Sequence, residues 1–297
     1  MMYELINHWQ TKASITQLCR VFGASRSGYY AAKTKAKEKE KTSQLCATTV
    51  QLKAEFMISG RSYGSRRLVT ALRAKNIDIG RHKVRRLMRE AHIKSVWKRK
   101  FINTTDSRHN LPIADNILNR QFNPEKPNRA WVADITYIRT RTGWLYLAAV
   151  MDLFSRKIIG WAMGSSMPAQ LVCRALCMAI ETRKPSEGLI VHSDRGSQYA
   201  SDEYQHLLKQ HDMICSMSRK GNCWDNAVME RFFLNLKMEC VWQREYGNQM
   251  EAKKDITEYI VGFYNCSRLH STLGNLTPMM YEKEMAAKKP IEVSEIT

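Results

Sequence analysis

Residues 130–163 read AWVADITYIRTRTGWLYLAAVMDLFSRKIIGWAM. Three β-rich runs, 130–138 (AWVADITYI), 144–151 (WLYLAAVM) and 157–163 (KIIGWAM), are separated by turn-like breaks at 140–143 and 152–156. Aromatic and β-branched residues with spacers this short predict an antiparallel meander. Beyond it, helices and strands alternate. A helix is expected over 168–182, with Pro168 suited to its first turn, then a buried-type strand at 188–192 (GLIVH). A helix at 202–210, a strand at 213–216 and long helices at 222–240 and 250–264 follow. The expectation is an α/β core, a mixed sheet with helices against its faces.

Three acidic residues stand out in this frame. Asp134 sits inside the first strand, where a carboxylate among Trp, Val, Ile and Tyr is costly unless it is paired or binds metal. Asp194 lies just past GLIVH, in HSDRGSQY, at a strand end, where α/β architectures expose reactive groups. Glu230 lies in the helix NCWDNAVMERFFLNLK, with Lys237 two turns further on the same face. Each has a bland alternative: a carboxylate bonded to backbone amides, a turn or capping residue, and a surface residue paired with a nearby Arg. Asp152 reads as turn-forming. For His192, core packing competes with support of the site. Asn226 is placed to orient substrate or carboxylate. Asn265, Arg268 and His270 read equally as a DNA-contacting or a structural element.

Working outward toward the N-terminus, the character changes. Of the chain's 297 residues, 47 are Lys or Arg and 28 are Asp or Glu, a net charge of +19. Residues 1–120 alone carry +17, which points to nucleic acid or another anionic surface. Residues 13–32 read as two short helices about Gly23, with Ser25 as N-cap of a helix carrying Arg26, Tyr29 and Tyr30. That is helix-turn-helix logic, with an ordinary helical hairpin as the alternative. The run KTKAKEKEKTS (33–43) reads as an exposed helix extension or linker. Residues 63–93 give a second helical pair. Tyr63, Leu68, Ala71 and Leu72 mark its first helix. Val84, Leu87, Met88 and Ala91 mark the apolar face of the second. Its remaining face holds Arg81, Lys83, Arg85, Arg86 and Arg89, expected to contact phosphates. KSVWKRKF (94–101) adds basic and aromatic side chains able to track a strand, or to dock as a linker. A boundary is placed near residue 124.

Several classes fall away. The longest apolar runs are about eight residues, far below the roughly 20 of a membrane span. MMYELINHWQ lacks the basic and apolar regions of a secretory signal. The eight cysteines show no CxxC and read as reduced, partly buried thiols. No zinc site is read at Cys173 and Cys177.

The stretches WVADITYI, YLAAVMDLFSRKIIGW, HSDRGSQYAS, RKGNCWDNAVMERFFLNLKMEC and YNCSRLHSTLGNLTP, in order over 130–281, resemble the OrfB transposases of the insertion-sequence-three family. YGSRRLVTALRAKNIDIGRHKVRRLMREAHI resembles the helix-turn-helix segment before their core. The resemblance implies a ribonuclease-H-like, integrase-type catalytic core over 125–285. Ahead of it come helix-turn-helix segments at 1–55 and 56–101 and a linker at 102–124, and a tail follows at 286–297. It puts the acidic triad on Asp134, Asp194 and Glu230, with 35 residues between the last two, and makes Lys237 the matching basic position, expected at a terminal phosphate. It implies a bacterial, cytoplasmic enzyme, nucleoid-associated when on DNA. The expected partners are duplex DNA with terminal inverted repeats, target DNA, further copies of the chain, and OrfA or an OrfAB fusion.

The chemistry is consistent with that expectation. In-line phosphoryl transfer is served by two hard cations about 4 Å apart. Mg²⁺, or Mn²⁺ in its place, takes oxygen ligands from a few carboxylates. The expected arrangement has Asp134 bridging two ions, Asp194 on one and Glu230 on the other. Two rival readings stand beside it. A DNA-binding regulator on an ancestral transposase fold would need no metal chemistry. A general nuclease would cut unrelated DNA or hybrids.

Overall fold

The computed structural model describes residues 2–96, 112–220 and 222–288, apart from the side chains of 37–44 and Cys223. Residues 97–101 of KSVWKRKF, residues 102–111 of the expected linker and residues 289–297 of the expected tail lie outside this description. The chain divides into two compact units, Met1–Ile58 with Leu68–Lys94, and Ser59–Arg67 with Ser95–Thr297.

The first unit is helical: α1 (Met2–Trp9), α2 (Ile15–Val21), α3 (Arg26–Ile58), most of α4 (Ser65–Arg73) and α5 (Arg81–Glu90). Ser14 and Gln17 form a capping box at α2. Gly23, at φ +64°, turns the chain, and Ser25 Oγ accepts from Gly28 N at 3.0 Å to start α3. Ile6, Leu18, Cys19 and Tyr29 pack there as one buried cluster. The helix starting at Arg26 is not short. It runs 33 residues, straight through the Lys/Glu run. Lys, Glu and Ala are strong helix formers, so the helix-extension alternative holds, and the division at residue 55 falls inside α3. Both expected helix pairs belong to this one unit. On α5, Val84 and Leu87 are buried, while Arg81, Lys83, Arg85, Arg86 and Arg89 are exposed.

The second unit is built on a five-stranded sheet of order β3-β2-β1-β4-β5. Its strands are β1 (Ala130–Thr140), β2 (Gly143–Asp152), β3 (Lys157–Gly164), β4 (Ile190–Ser193) and β5 (Ile214–Met217). The expected meander is there: β1, β2 and β3 pair antiparallel in sequence order. β4 then joins the far side of β1 in parallel and β5 follows β4. This is the ribonuclease-H-like arrangement. Five helices complete the unit: α6 (Ala169–Arg183), α7 (Asp202–Gln210), α8 (Ala227–Glu239), α9 (Gln249–Glu258) and α10 (Pro278–Ala287).

Alternation along the strands explains the sheet's composition. Ala130, Val132 and Ile138 of β1 face a core shared with Met229, Phe232, Phe233 and Leu236 of α8. Trp131 and Ala133 face the opposite core, with Leu171, Val172 and Leu176 of α6 and Tyr204 of α7. Both faces are covered, so the strands read as nearly continuous apolar runs. Each fully buried aliphatic contributes about 1.5–3 kcal/mol. Gly160 of β3 is required by close packing: an added Cβ would lie 2.2 Å from the Ala175 carbonyl oxygen of α6.

Four expectations need correction. Pro168 is the N-cap of α6 and not a first-turn residue. The 222–240 helix begins as a 3₁₀ turn, Cys223–Asn226, before α8. The 250–264 helix ends in a π-helical turn, Tyr259–Tyr264. Tyr63 precedes α4 and belongs to the second unit, where its hydroxyl donates to Ser267 O at 3.2 Å and accepts from Leu269 N at 2.9 Å. The described part of the linker is not a loose spacer either. Leu118 is buried in the sheet core.

The late motif is structural. Asn265 bonds both backbone groups of Ile158, at 3.0 and 2.9 Å. Arg268 makes a two-pronged, buried pair with Glu239 at 2.8 Å. His270 is buried with its ring edge-on to Tyr264, and burial together with neighbouring arginines depresses its pKa to about 3. Asp152 forms a turn as expected: it accepts from Phe154 N and Asn128 N and pairs with Arg183.

Candidate active site

Asp134 occupies an even position of β1 and so faces α8. β4 runs parallel beside β1, with Val132 opposite His192. Two residues further along each chain stand Asp134 and Asp194, at the point where β4 has ended. The next contribution comes from α8: Glu230 on its first turn and Lys237 near its end. Topology alone thus sets two carboxylates side by side and a helix bearing a third above them.

The electrostatics agree. Asp134 is held well above the usual carboxylate range, first by burial, then by the charge of Asp194, with a further push from Glu230. Its Oδ1 accepts from Ile135 N at 2.8 Å, which opposes the rise. The Asp194 carboxylate accepts from Gly196 N at 2.9 Å. Glu230 reaches solvent, yet partial dehydration raises its carboxyl too. Lys237 is half-buried, not solvent-facing. Its ammonium lies 4.9 Å from the centre of the Tyr137 ring. Burial lowers its pKa, while Asp134 supports its charge.

The three carboxylates share one electrostatic neighbourhood, with Asp194 acting on Asp134 more strongly than Glu230 does. Among the described residues, no three His, Cys, Asp or Glu side chains converge on one point in ligating geometry. The donor chemistry nevertheless fits a hard divalent cation. All three candidates are carboxylates, and Asp134 is dehydrated beside a like charge, with Lys237 offsetting it.

Sequence reasoning singled out Asn226 and His192 but missed the buried residue that holds the start of α8 in place. Asp225, in the 3₁₀ turn before α8, is fully buried and accepts five hydrogen bonds. They come from Arg219 (backbone N 3.0 Å, Nε 2.9 Å, Nη2 2.8 Å), Arg120 Nε (2.8 Å) and Asn116 Nδ2 (2.9 Å). The arginines hold its carboxyl far below the usual range. Asn116 and Arg120 come from the expected linker, more than 100 residues upstream. The one clue in the sequence was a lone Asp between Trp224 and Asn226 with Arg219 close ahead. Asn226 donates to the Ala133 carbonyl at 3.4 Å, so the turn is tied to the strand beside Asp134. His192 bridges Ser216 and Ser218, at 2.9 and 3.2 Å. Fully buried, it has its pKa lowered to about 4 and serves as a neutral strut between β4 and β5. Arg26 and the five basic residues of α5 lie in the helical unit.

Comparison with known proteins follows the same division. An HTH-like domain family model matches residues 48–101, and two integrase core domain models match 124–223 and 211–278. The chain is 40% identical over 290 residues to the transposase InsF for insertion sequence IS3A of Escherichia coli (strain K12), covering 97% of this chain and 100% of that one. It is 44% identical over 269 residues to an uncharacterized 31 kDa protein of insertion element IS600 from Shigella sonnei, covering 90% and 98%. Among solved structures, a simian T-cell lymphotropic virus intasome chain aligns with a TM-score of 0.45 at 16% identity, over 73% of this chain and 69% of that one. With full-length similarity to an insertion-sequence transposase, and integrase core domains laid over the sheet that carries Asp134 and Asp194, the chain belongs to the IS3 family of transposases.

Proposed function

We propose that this transposase cleaves DNA at the ends of its element and joins the freed 3′-hydroxyl to target DNA, using Asp134, Asp194 and Glu230 as its acidic triad. The observation that supports the reading is the placement of Asp134 on β1, Asp194 just past the parallel neighbour β4 and Glu230 on α8, with the Asp134 carboxyl raised by burial and then by the charges of Asp194 and Glu230. The triad would hold Mg²⁺, with Mn²⁺ able to replace it and two ions as the working number. Such ions, when bound, polarise the scissile phosphodiester and activate the attacking water or hydroxyl.

The remaining steps belong to the protein's own side chains. Lys237, steadied on Tyr137 and supported by Asp134, offers a cation to a phosphate next to the reacting one. Asp225 and Asn226 fix the start of α8 and hence the position of Glu230. Arg81, Lys83, Arg85, Arg86 and Arg89 hold the duplex by its phosphates, and Arg26 adds a contact from the start of α3. Joining two ends requires at least two catalytic units, so a homo-oligomer on DNA is expected, with OrfA or an OrfAB fusion as a further partner. The working location is the bacterial cytoplasm and nucleoid. Among the described residues, no helix is long and apolar enough to cross a membrane.

The test is direct. Purified protein is mixed with duplexes carrying the terminal inverted repeats that flank its coding frame. Nicking and joining are expected with Mg²⁺ or Mn²⁺ and not with EDTA. Full activity in Asp134→Asn and Glu230→Gln would overturn the assignment.

A further inference from the structure

The 3₁₀ turn ahead of α8 carries a second feature beside its buried aspartate. Trp224 is 69% exposed, more than any other Trp, Tyr or Phe among the described residues. An indole left in water forgoes burial that a ring of its size normally gains. Its setting rules out a loose loop as the reason. The next residue, Asp225, is fully buried and accepts five hydrogen bonds, and the one after it, Asn226, is bonded to the strand beside Asp134. The ring is therefore presented from a turn pinned immediately behind it.

The charge around the ring is positive. Two guanidinium groups, of Arg120 and Arg219, share the single Asp225 carboxylate, which leaves one net positive charge in the cluster. Their side chains are 43% and 49% exposed. Lys220 is exposed beside them. Glu230 follows Trp224 by six residues, and Asn226 reaches the carbonyl of the residue before Asp134. The turn that carries this aromatic face and phosphate-attracting rim thus leads directly into the helix of Glu230 and is bonded to the strand of Asp134.

This combination suits a nucleotide lifted from the duplex. Opening the strand locally around the reacting phosphate gives the nucleophile room for in-line attack. A base that leaves its stack there regains contact on an aromatic ring, and any base can do so. We propose that Trp224 is a stacking platform for a base adjoining the phosphodiester that the acidic site cleaves. The inference rests on the strand-transfer reading given above and adds to it a direct substrate contact.

The test uses the full chain and terminal-repeat duplexes with 2-aminopurine placed in turn at the nucleotides flanking the cleaved bond. Wild type should change the 2-aminopurine emission at one of these positions, and Trp224→Ala should lose that change. In Trp224→Ala, kcat for cleavage should fall about tenfold, in the range that base–aromatic stacking supplies. KM should stay close to wild type, because capture depends on the helical unit. Trp224→Phe should restore most of the rate. An abasic site at the responsive position should slow wild type to the level of Trp224→Ala and slow the variant no further.

Equal cleavage by Trp224→Ala and wild type would overturn the proposal. So would additive effects of the variant and the abasic site. A change in sedimentation of Trp224→Ala with an unchanged 2-aminopurine signal would do the same and would assign the ring to a protein contact. If wild type shows no metal-dependent cleavage at all, the functional reading fails and the platform fails with it. If wild type cleaves and only the Trp224 results are negative, the functional reading stands alone.

Discussion

Helix α5 and strand β1 place their charges in opposite ways. On α5 the apolar residues Val84 and Leu87 are buried and five cations stand in water. On β1 the apolar residues line both faces of the sheet and the acidic charge, Asp134, is the part that is dehydrated. Exposed cations suit a ligand that arrives from solution with its own counterions, at little cost to the free protein. A dehydrated carboxylate beside a second one is costly until a cation neutralises it. On the function proposed above, the helical unit captures DNA and the sheet acts on it.

The sharpest way to break this contrast is to remove the acidic charges. Asp134→Asn or Glu230→Gln should drop strand cleavage below about 1% of wild type, since a missing metal ligand costs several kcal/mol of transition-state stabilisation. Binding to terminal-repeat DNA, followed by gel shift, should remain. Loss of binding in step with cleavage would mean that the two regions do not divide the work.

Removing cations should do the reverse. In Arg85→Ala/Arg89→Ala the slope of log affinity against log salt should shrink by about 0.9 for each phosphate no longer neutralised. At saturating DNA, kcat should be unchanged. An unaltered slope would take those side chains out of the interface.

A smaller effect concerns stability. The folded pKa of Asp134 is raised, so its contribution to stability is present at low pH and is lost as pH rises through the folded value. Above that value, without metal, the ionised carboxyl works against folding. Asp134→Asn should raise the melting temperature in EDTA, by about 2–4 °C for each kcal/mol relieved in a domain of this size. Mg²⁺ should stabilise wild type more as pH rises and should have little effect on the variant. A melting temperature that falls in Asp134→Asn, with metal absent, would contradict the electrostatic account.

The smallest change is expected at the arginine clamp. Arg120→Lys keeps the charge facing Asp225 and loses the planar guanidinium geometry. A modest fall in cleavage with near-normal DNA binding is expected, measured on the same substrates. A change confined to DNA binding would place Arg120 in capture instead of in support of the site.

Legibility in the sequence followed the range of the interactions. The meander was readable because β1, β2 and β3 are adjacent in sequence and separated by short turns. Asp134 was readable because it interrupts an apolar strand, and Asp194 because it ends one. The length of α3 was left open because a Lys/Glu run that looks like a solvated linker also has high helix propensity. Asp225 could not be assigned because its partners Asn116 and Arg120 lie more than 100 residues away. Tyr63 looked like a helix-face residue at the correct spacing. Its true partners, Ser267 and Leu269, are set by tertiary structure alone.

That last pairing has a consequence in time. Segment 59–67 folds with the catalytic unit, and its Tyr63 hydroxyl bonds a carbonyl 204 residues later in the chain. At about 5–20 residues per second on a ribosome, the segment waits roughly 10–40 s for its partner to be made. Everything the helical unit needs has been synthesised by Lys94. On the proposed function, a nascent transposase would grip DNA well before it could cut, and the DNA within reach at that moment would be near the gene being translated.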